Sequence, residues 1–303
     1  MRIRTGPCQV VMFSLDMERR ATKRTSAQRA RRNLLAIASI VVTALRSRAA
    51  RVAKGDYRHS GAQSFLRGTF LRGTLIRTPS GEREISTLAI GDLVITYSGQ
   101  ERPITWIGRR SFRRDASKPW SADVAPIKVA RSALTEGVPQ RDLYLSPRHA
   151  LYLDGLLVTI GSILNACTIV RCDADELQSL EYFNLELEEH EVVFAEGAPS
   201  DALLPSGDHK QFDNWSERVS LEGDKIPPAQ PIAQVIDITG GRLQLRSRLR
   251  SALSILVDRR TDFDKLRDRI EDRAEQISKA RRMGCVAGDG HSHTPFPDLP
   301  NVG

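Results

Sequence analysis

Leu151-Tyr152-Leu153-Asp154-Gly155-Leu156-Leu157-Val158 is the stretch that decides the fold class. Two short apolar runs flank an Asp-Gly pair, and a type I′ turn needs positive φ at both central residues, which this pair tolerates better than most. The stretch therefore predicts a tight β-hairpin. The same texture extends outward on both sides. Leu75 to Thr78 ends at Pro79-Ser80-Gly81, Leu93 to Tyr97 at Ser98-Gly99, and Ile104 to Ile107 at Gly108. Val124 to Ala130 and Leu143 to Leu145 precede the hairpin, and Tyr182 to Leu187 and Val192 to Ala195 follow it, separated by Glu188 to Glu191. Many short strands without intervening helices of ten or more residues predict an all-β domain over residues 64–204.

The chain has 303 residues, room for two average domains or for one large β domain with appendages. It is 40% apolar and 27% charged, so it can bury a core, and no Gly-X-Y period or heptad array runs through it. Fibrous, collagenous and wholly unstructured readings are excluded. The net charge of +8 resembles a nucleic-acid signature until it is divided along the chain. Residues 1–63 hold 14 Lys and Arg against three acids, net +11, which leaves everything after them at net −3. The main domain is thus not expected to bind nucleic acid; a nucleic-acid-binding arm at 1–63, with steep salt dependence, is a third option.

The leader carries a basic run from Arg19 to Arg32, an apolar stretch from Leu34 to Leu45, then Arg46, Arg48 and Arg51. That apolar stretch falls well short of the ~20 residues needed to span a bilayer, so no transmembrane helix is predicted. Arginines directly after the apolar core argue against a cleaved secretory signal. An unstructured leader, a start codon set too far upstream of the true one, and a basic segment lying on a membrane surface are the readings that remain. The compartment, cytoplasmic or exported, stays open.

Residues 205–241 are rich in Pro, Gly and Asp and read as a linker or wrap. Beyond them Leu249, Leu256, Phe263, Ile270 and Ile277 recur every seven residues, with Leu253, Leu266 and Ala274 beside them. This predicts an amphipathic helix over 242–282, or two helices broken near Thr261-Asp262 with an N-cap there. Docking on the β domain is one use of such a face, and contact with a protein partner or self-association is another. The tail 283–303 is Gly, Pro and His rich and is expected to be disordered.

A tandem repeat opens the β domain: Phe65-Leu66-Arg67-Gly68-Thr69 and then Phe70-Leu71-Arg72-Gly73-Thr74. Five is an odd period, so within one strand the second copy would turn its side chains to the opposite face, and only one copy fits a given register. The second copy is favoured because it runs on into Leu75-Ile76-Arg77-Thr78.

From Phe70 through Thr96 the sequence resembles the first block of bacterial Hint domains, the Hedgehog/intein self-processing module, in the subgroup found as stand-alone proteins. Further blocks follow in order: Arg102-Pro103-Ile104-Thr105-Trp106-Ile107-Gly108, Leu145-Ser146-Pro147-Arg148-His149-Ala150-Leu151, and Tyr182 to Leu187 through His190 to Glu196-Gly197. The resemblance spans residues 64–204 and implies a horseshoe of short strands, to which the periodicity beyond 242 adds a C-terminal helical extension. It also implies autoproteolysis. A side chain at the first residue of the domain attacks the preceding carbonyl and turns the amide into an ester or thioester. A histidine protonates the departing amine, and a hydroxyl three residues before it holds the amide or the oxyanion. Ser146 and His149 match that Ser-x-x-His block.

The nucleophile departs from the pattern, which has Cys before the Phe. Here Ser64 precedes the first copy and Thr69 the second, so the reaction would be a weakened N-to-O acyl shift. Thr69 is expected to occupy the structural slot, with Gly68 ahead of it opening the carbonyl to attack. Asn184 stands where the subgroup is expected to show His, and His190 reads as a structural or supporting residue. Splicing is not expected, because residues 198–207 contain no Asn. The alternative is a catalytically inactive Hint scaffold that binds a membrane or a protein partner.

No cofactor is expected. Cys167 and Cys172 with His149 or His190 match no zinc spacing, and Cys285, His291 and His293 lie in the tail. Cys167 and Cys172 read as small apolar residues rather than ligands.

Overall fold

The computed structural model describes residues 68–115, 117–172, 174, 176–204, 209–222, 230–238, 241–254 and 258–282. The leader 1–63, Ser64, the start of the first repeat copy, Leu256 and the tail 283–303 lie outside the described residues. Among the described residues, those within 240–268 form one compact unit, and those within 61–239 and 269–303 form the other.

The larger unit is built from two seven-stranded sheets. The strands are β1 (Phe70–Leu71), β2 (Leu75–Thr78), β3 (Gly81–Glu84), β4 (Leu93–Ile95), β5 (Glu101–Arg113), β6 (Ile127–Val129) and β7 (Leu143–Leu145). They continue as β8 (Ala150–Leu153), β9 (Leu156–Thr159), β10 (Ile169–Arg171), β11 (Ser179–Leu187), β12 (Val192–Ala195), β13 (Ala198–Asp201) and β14 (Gln234–Ile236). One sheet runs β10-β6-β7-β1-β11-β5-β4 and the other β14-β9-β8-β13-β12-β2-β3. The domain is all-β, and the hairpin that decided the fold class takes the expected form. Asp154 (φ +51°) and Gly155 (φ +80°) both adopt the left-handed region between β8 and β9.

The second repeat copy enters the sheets as β1. Phe70 and Leu71 are fully buried, and Phe70 pairs with Phe183 on one side and Leu145 on the other. The longest ribbon is β11 on β5, and Gly108 does not end β5 as the sequence suggests. A Cβ at Gly108 would lie 2.6–2.8 Å from ring carbons of Phe212, so the missing side chain makes room for that ring against the strand. Phe212 in turn packs with Trp106 and Leu203.

The region read as a linker carries structure. It holds a 3₁₀ turn at His209–Gln211, helix α1 (Trp215–Glu222) and β14. The free edge of β5 explains the first part. Asp213 and Asn214 take up its backbone, accepting from Ser111 N–H (2.7 Å) and Arg109 N–H (2.8 Å), while Asn214 Nδ2 donates to Ile107 O (2.8 Å). Side chains thus cover an edge that would otherwise present unpaired amides. Helix α1 is pinned by charge. Arg218 donates to Glu186 from Nε (2.9 Å) and Nη2 (2.7 Å), and His209 Nε2 lies 2.8 Å from the same carboxylate, with all three side chains almost wholly buried. Burial pushes the Glu186 carboxyl up, but His209 and Arg218 outweigh it and hold the group below its ordinary range.

Helix α2 spans Gly241–Leu253 and helix α3 spans Asp262–Arg282, and Thr261 caps α3. Its N–H and hydroxyl meet Asp264 Oδ2 at 2.9 Å, and Asp264 N–H returns to Thr261 Oγ1 at 3.3 Å, a reciprocal capping box. The apolar stripe is only partly buried. Phe263, Leu266, Ile270 and Ala274 are buried, whereas Leu249 and Leu253 are exposed. The buried face of α2 is polar instead, with Ser247 and Ser251 accepting from Arg267 and Ser247 donating to Asp264. Within the larger unit, Arg269 of α3 donates to Asp154 at the hairpin tip, and Arg273 donates to Ser132 O and to Glu136 (2.9 Å). Among the described residues no helix is long and apolar enough to cross a membrane.

Candidate active site

The Gly68–Thr69 peptide enters β1 inside the larger unit, and the elements around it hold its carbonyl oxygen and its N–H. Gly68 has φ +43°, a left-handed conformation that a side chain would strain. Thr69 is fully buried and is locked to Ser146 by two bonds. Its N–H donates to Ser146 Oγ (3.1 Å), and its carbonyl accepts Ser146 N–H (3.0 Å). Thr69 Oγ1, in contrast, is buried without a hydrogen-bond partner. The Gly68 carbonyl oxygen accepts from Asn184 Nδ2, whose own Oδ1 accepts Leu185 N–H (2.8 Å). The hydroxyl of the Ser-x-x-His block therefore sits on the amide nitrogen, and Asn184 sits on the carbonyl.

Ser146-Pro147-Arg148-His149 forms a turn between β7 and β8, closed by His149 N–H on Ser146 O (3.0 Å). It is held from behind by Ile160 N–H on His149 O (2.8 Å). The His149 imidazole is fully buried, with its centroid 4.3 Å from that of Phe70, and neither ring nitrogen has a hydrogen-bond partner. Burial lowers its pKa to about 3, an effect that the nearby Gly68 backbone only partly opposes. His149 is therefore a neutral imidazole at pH 7.

His190 lies between β11 and β12. Its Nε2 is 2.7 Å from Asp201 Oδ1, and its Nδ1 accepts Ile232 N–H at 3.0 Å, which leaves the ring proton on Nε2. Asp201 closes β13 opposite Val192. Burial raises its carboxyl above the ordinary range, and the His190 bond works against that rise. Thr69, Ser146, His149 and Asn184 thus meet around one peptide bond, and His190 reaches the same place through Asp201. Ser64 lies outside the described residues. Asp201 was not singled out from sequence, although Glu196-Gly197 signals a hairpin whose return strand brings the residue beyond Ser200 alongside His190.

Cys167 is exposed and Cys172 is half-buried, at either end of β10. Burial pushes the Cys172 thiol up to about 11, with Lys128 opposing, so it is not a thiolate at neutral pH. Among the described residues, no three His, Cys, Asp or Glu side chains gather to hold a metal ion.

The Hint-domain family model matches residues 68–207, which begins at the glycine of this peptide bond. Among solved structures the chain is similar to the gp41-1 intein, at 17% identity over 44% of this chain and 98% of that one, with a TM-score of 0.31. It is similar also to the MchDnaB-1 intein, at 12% identity over 43% and 98%, with a TM-score of 0.30. A bacterial intein-like domain from Clostridium thermocellum matches at 16% identity over 46% and 100%, with a TM-score of 0.32. No curated protein matches the chain. Residues 68–207 of this chain are a Hint domain.

Proposed function

We propose that this domain cleaves its own chain at the Gly68–Thr69 bond through an N-to-O acyl shift. The observation that carries the reading is Thr69 Oγ1, a fully buried hydroxyl without a partner, placed next to a carbonyl whose oxygen is already held by a donor. Thr69 Oγ1 gives its proton to neutral His149 and attacks the Gly68 carbonyl carbon. Negative charge gathers on the carbonyl oxygen, where the Asn184 amide stabilises it. The C–N bond then breaks as the imidazolium returns the proton to the Thr69 nitrogen, leaving an ester and a free amine. Ser146 keeps the nitrogen in place throughout. Water or another nucleophile then opens the ester. A hydroxyl is a poorer nucleophile than a thiolate, so the reaction is slow.

The test is the chain carrying an N-terminal fusion, incubated with and without hydroxylamine and read by mass, for wild type and for Thr69→Ala, Ser64→Ala, His149→Ala and Thr69→Cys. Wild type releases a fragment ending at Gly68, Thr69→Ala does not, and Thr69→Cys releases it faster. Cleavage that persists in Thr69→Ala and disappears in Ser64→Ala would move the bond to the first repeat copy. An intact wild type together with an intact Thr69→Cys would make the domain a scaffold without this chemistry.

A further inference from the structure

The acyl shift leaves an ester, and resting on that reading, the surroundings of Gly68 name the group that opens it. A Cβ built on Gly68 would lie 3.5 Å from Asn184 Nδ2, 3.6 Å from His149 Nδ1 and 4.0 Å from Asp201 Oδ2. Three polar tips converge where glycine has only a hydrogen. They differ in access to water. His149 is fully buried and Asn184 nearly so, whereas the Asp201 side chain keeps 21% of its exposure. Asp201 is also aimed. Its Oδ1 accepts the His190 Nε2 proton, and His190 is held in that tautomer by Ile232 N–H, leaving Oδ2 turned toward Gly68.

We propose that Asp201, oriented by His190, is the general base that activates the water hydrolysing the Gly68–Thr69 ester. Asp201 Oδ2 takes a proton from the water, and the hydroxide oxygen bonds to the Gly68 carbonyl carbon. As the tetrahedral intermediate collapses, the bond from that carbon to Thr69 Oγ1 breaks and Thr69 Oγ1 recovers the proton from Asp201. The products are a carboxyl at Gly68, a free amine and hydroxyl at Thr69, and Asp201 in its starting state. His149 serves the first step from the dry side, and Asp201 serves the second from the wet side. The segment leading into β14, beyond residue 207, takes part, because Ile232 fixes the tautomer.

The experiment separates the two steps on the full chain. Hydroxylamine reports the ester, and spontaneous release of the fragment reports its hydrolysis. Asp201→Asn is expected to keep the hydroxylamine-dependent release and to slow the spontaneous release by about 100-fold, the lower end of what a general base supplies. Asp201→Ala should regain spontaneous release when formate is added. Unchanged spontaneous release in Asp201→Asn overturns the proposal, and so does loss of the hydroxylamine reaction in a variant that still melts cooperatively. Should the variants not fold, wild type decides: its hydrolysis must run slower in deuterium oxide than in water, and equal rates overturn the assignment. Absence of any hydroxylamine product from wild type would instead defeat the acyl shift itself, a separate outcome.

Discussion

Asn184 and Gly68 are joined by a single side-chain hydrogen bond, in which the amide of a β11 residue donates to the carbonyl oxygen of the residue preceding β1. Asn184 is almost completely buried, and Leu185 N–H on its Oδ1 fixes which end of the amide faces Gly68. This is the arrangement an oxyanion needs, a donor positioned before charge develops. Asn184→Ala is therefore expected to lower the rate of hydroxylamine-dependent release by about 100- to 1,000-fold, with the fold retained. Asn184→Asp should be at least as slow, because it offers no donor. A wild-type rate in Asn184→Ala would remove the amide from the mechanism.

His149 makes stability depend on pH. Its pKa is about 3 in the folded protein against an ordinary 6.5, so between those values the unfolded state binds the proton and the folded state does not. Unfolding then takes up protons, and stability falls as pH drops from about 6.5 toward 3. The loss across that window is a few kcal/mol, since each pKa unit is worth about 1.4 kcal/mol. Urea titrations of wild type and His149→Gln at pH 7 and pH 4.5 check this. The gap between the two pH values should narrow in the variant, and an equal gap would show that the imidazole is not the titrating group.

Glu186 is the anion on which His209 and Arg218 both depend. Glu186→Leu takes the carboxylate away from a buried guanidinium, a change expected to cost about 3–5 kcal/mol. The double variant Glu186→Leu with Arg218→Met should recover part of that loss. Denaturation midpoints measure both. If the double variant is no more stable than the single, the guanidinium is not the source of the cost.

Gly108 and Phe212 cannot both keep their places once a side chain is added. Gly108→Ala puts a Cβ within 3 Å of the Phe212 ring, and the strand opposes any retreat. A loss of about 1–3 kcal/mol is expected from the overpacking. Gly108→Ala combined with Phe212→Leu should be more stable than Gly108→Ala alone, and additive losses would contradict the contact.

Much of the β domain was legible because its turns carry their own chemistry. β2, β7 and β12 have the bounds that Pro79-Ser80-Gly81, Ser146-Pro147 and Glu196-Gly197 impose. β5 was read too short, since Gly108 signals a break when the ring that fills its place comes from a residue 104 positions later. β14 has three residues, two of them exposed, and pairs in parallel with β9, so it shows neither alternation nor a turn partner. The α2 stripe misled for a different reason: its buried face is made of serines whose partners, Asp264 and Arg267, are charged, and apolar periodicity marks the other side. In the site, the Ser-x-x-His block shows in sequence because its turn is local. Asp201 does not, because it acquires its role from His190 and Gly68, brought to it by pairing.

The segment 230–238 has a bearing on where this module can be cut. β14 lies along β9, Ile238 N–H donates to Ser162 Oγ (2.7 Å), and Ile232 N–H occupies the His190 ring. Upstream of it, Phe212 lies over Gly108 and Arg218 neutralises Glu186. A fragment trimmed to the 68–207 match would lose an outer strand, bare the Trp106 face and leave Glu186 charged in an apolar setting. A piece that keeps these contacts runs at least to about residue 238, some thirty residues past the border that family likeness draws.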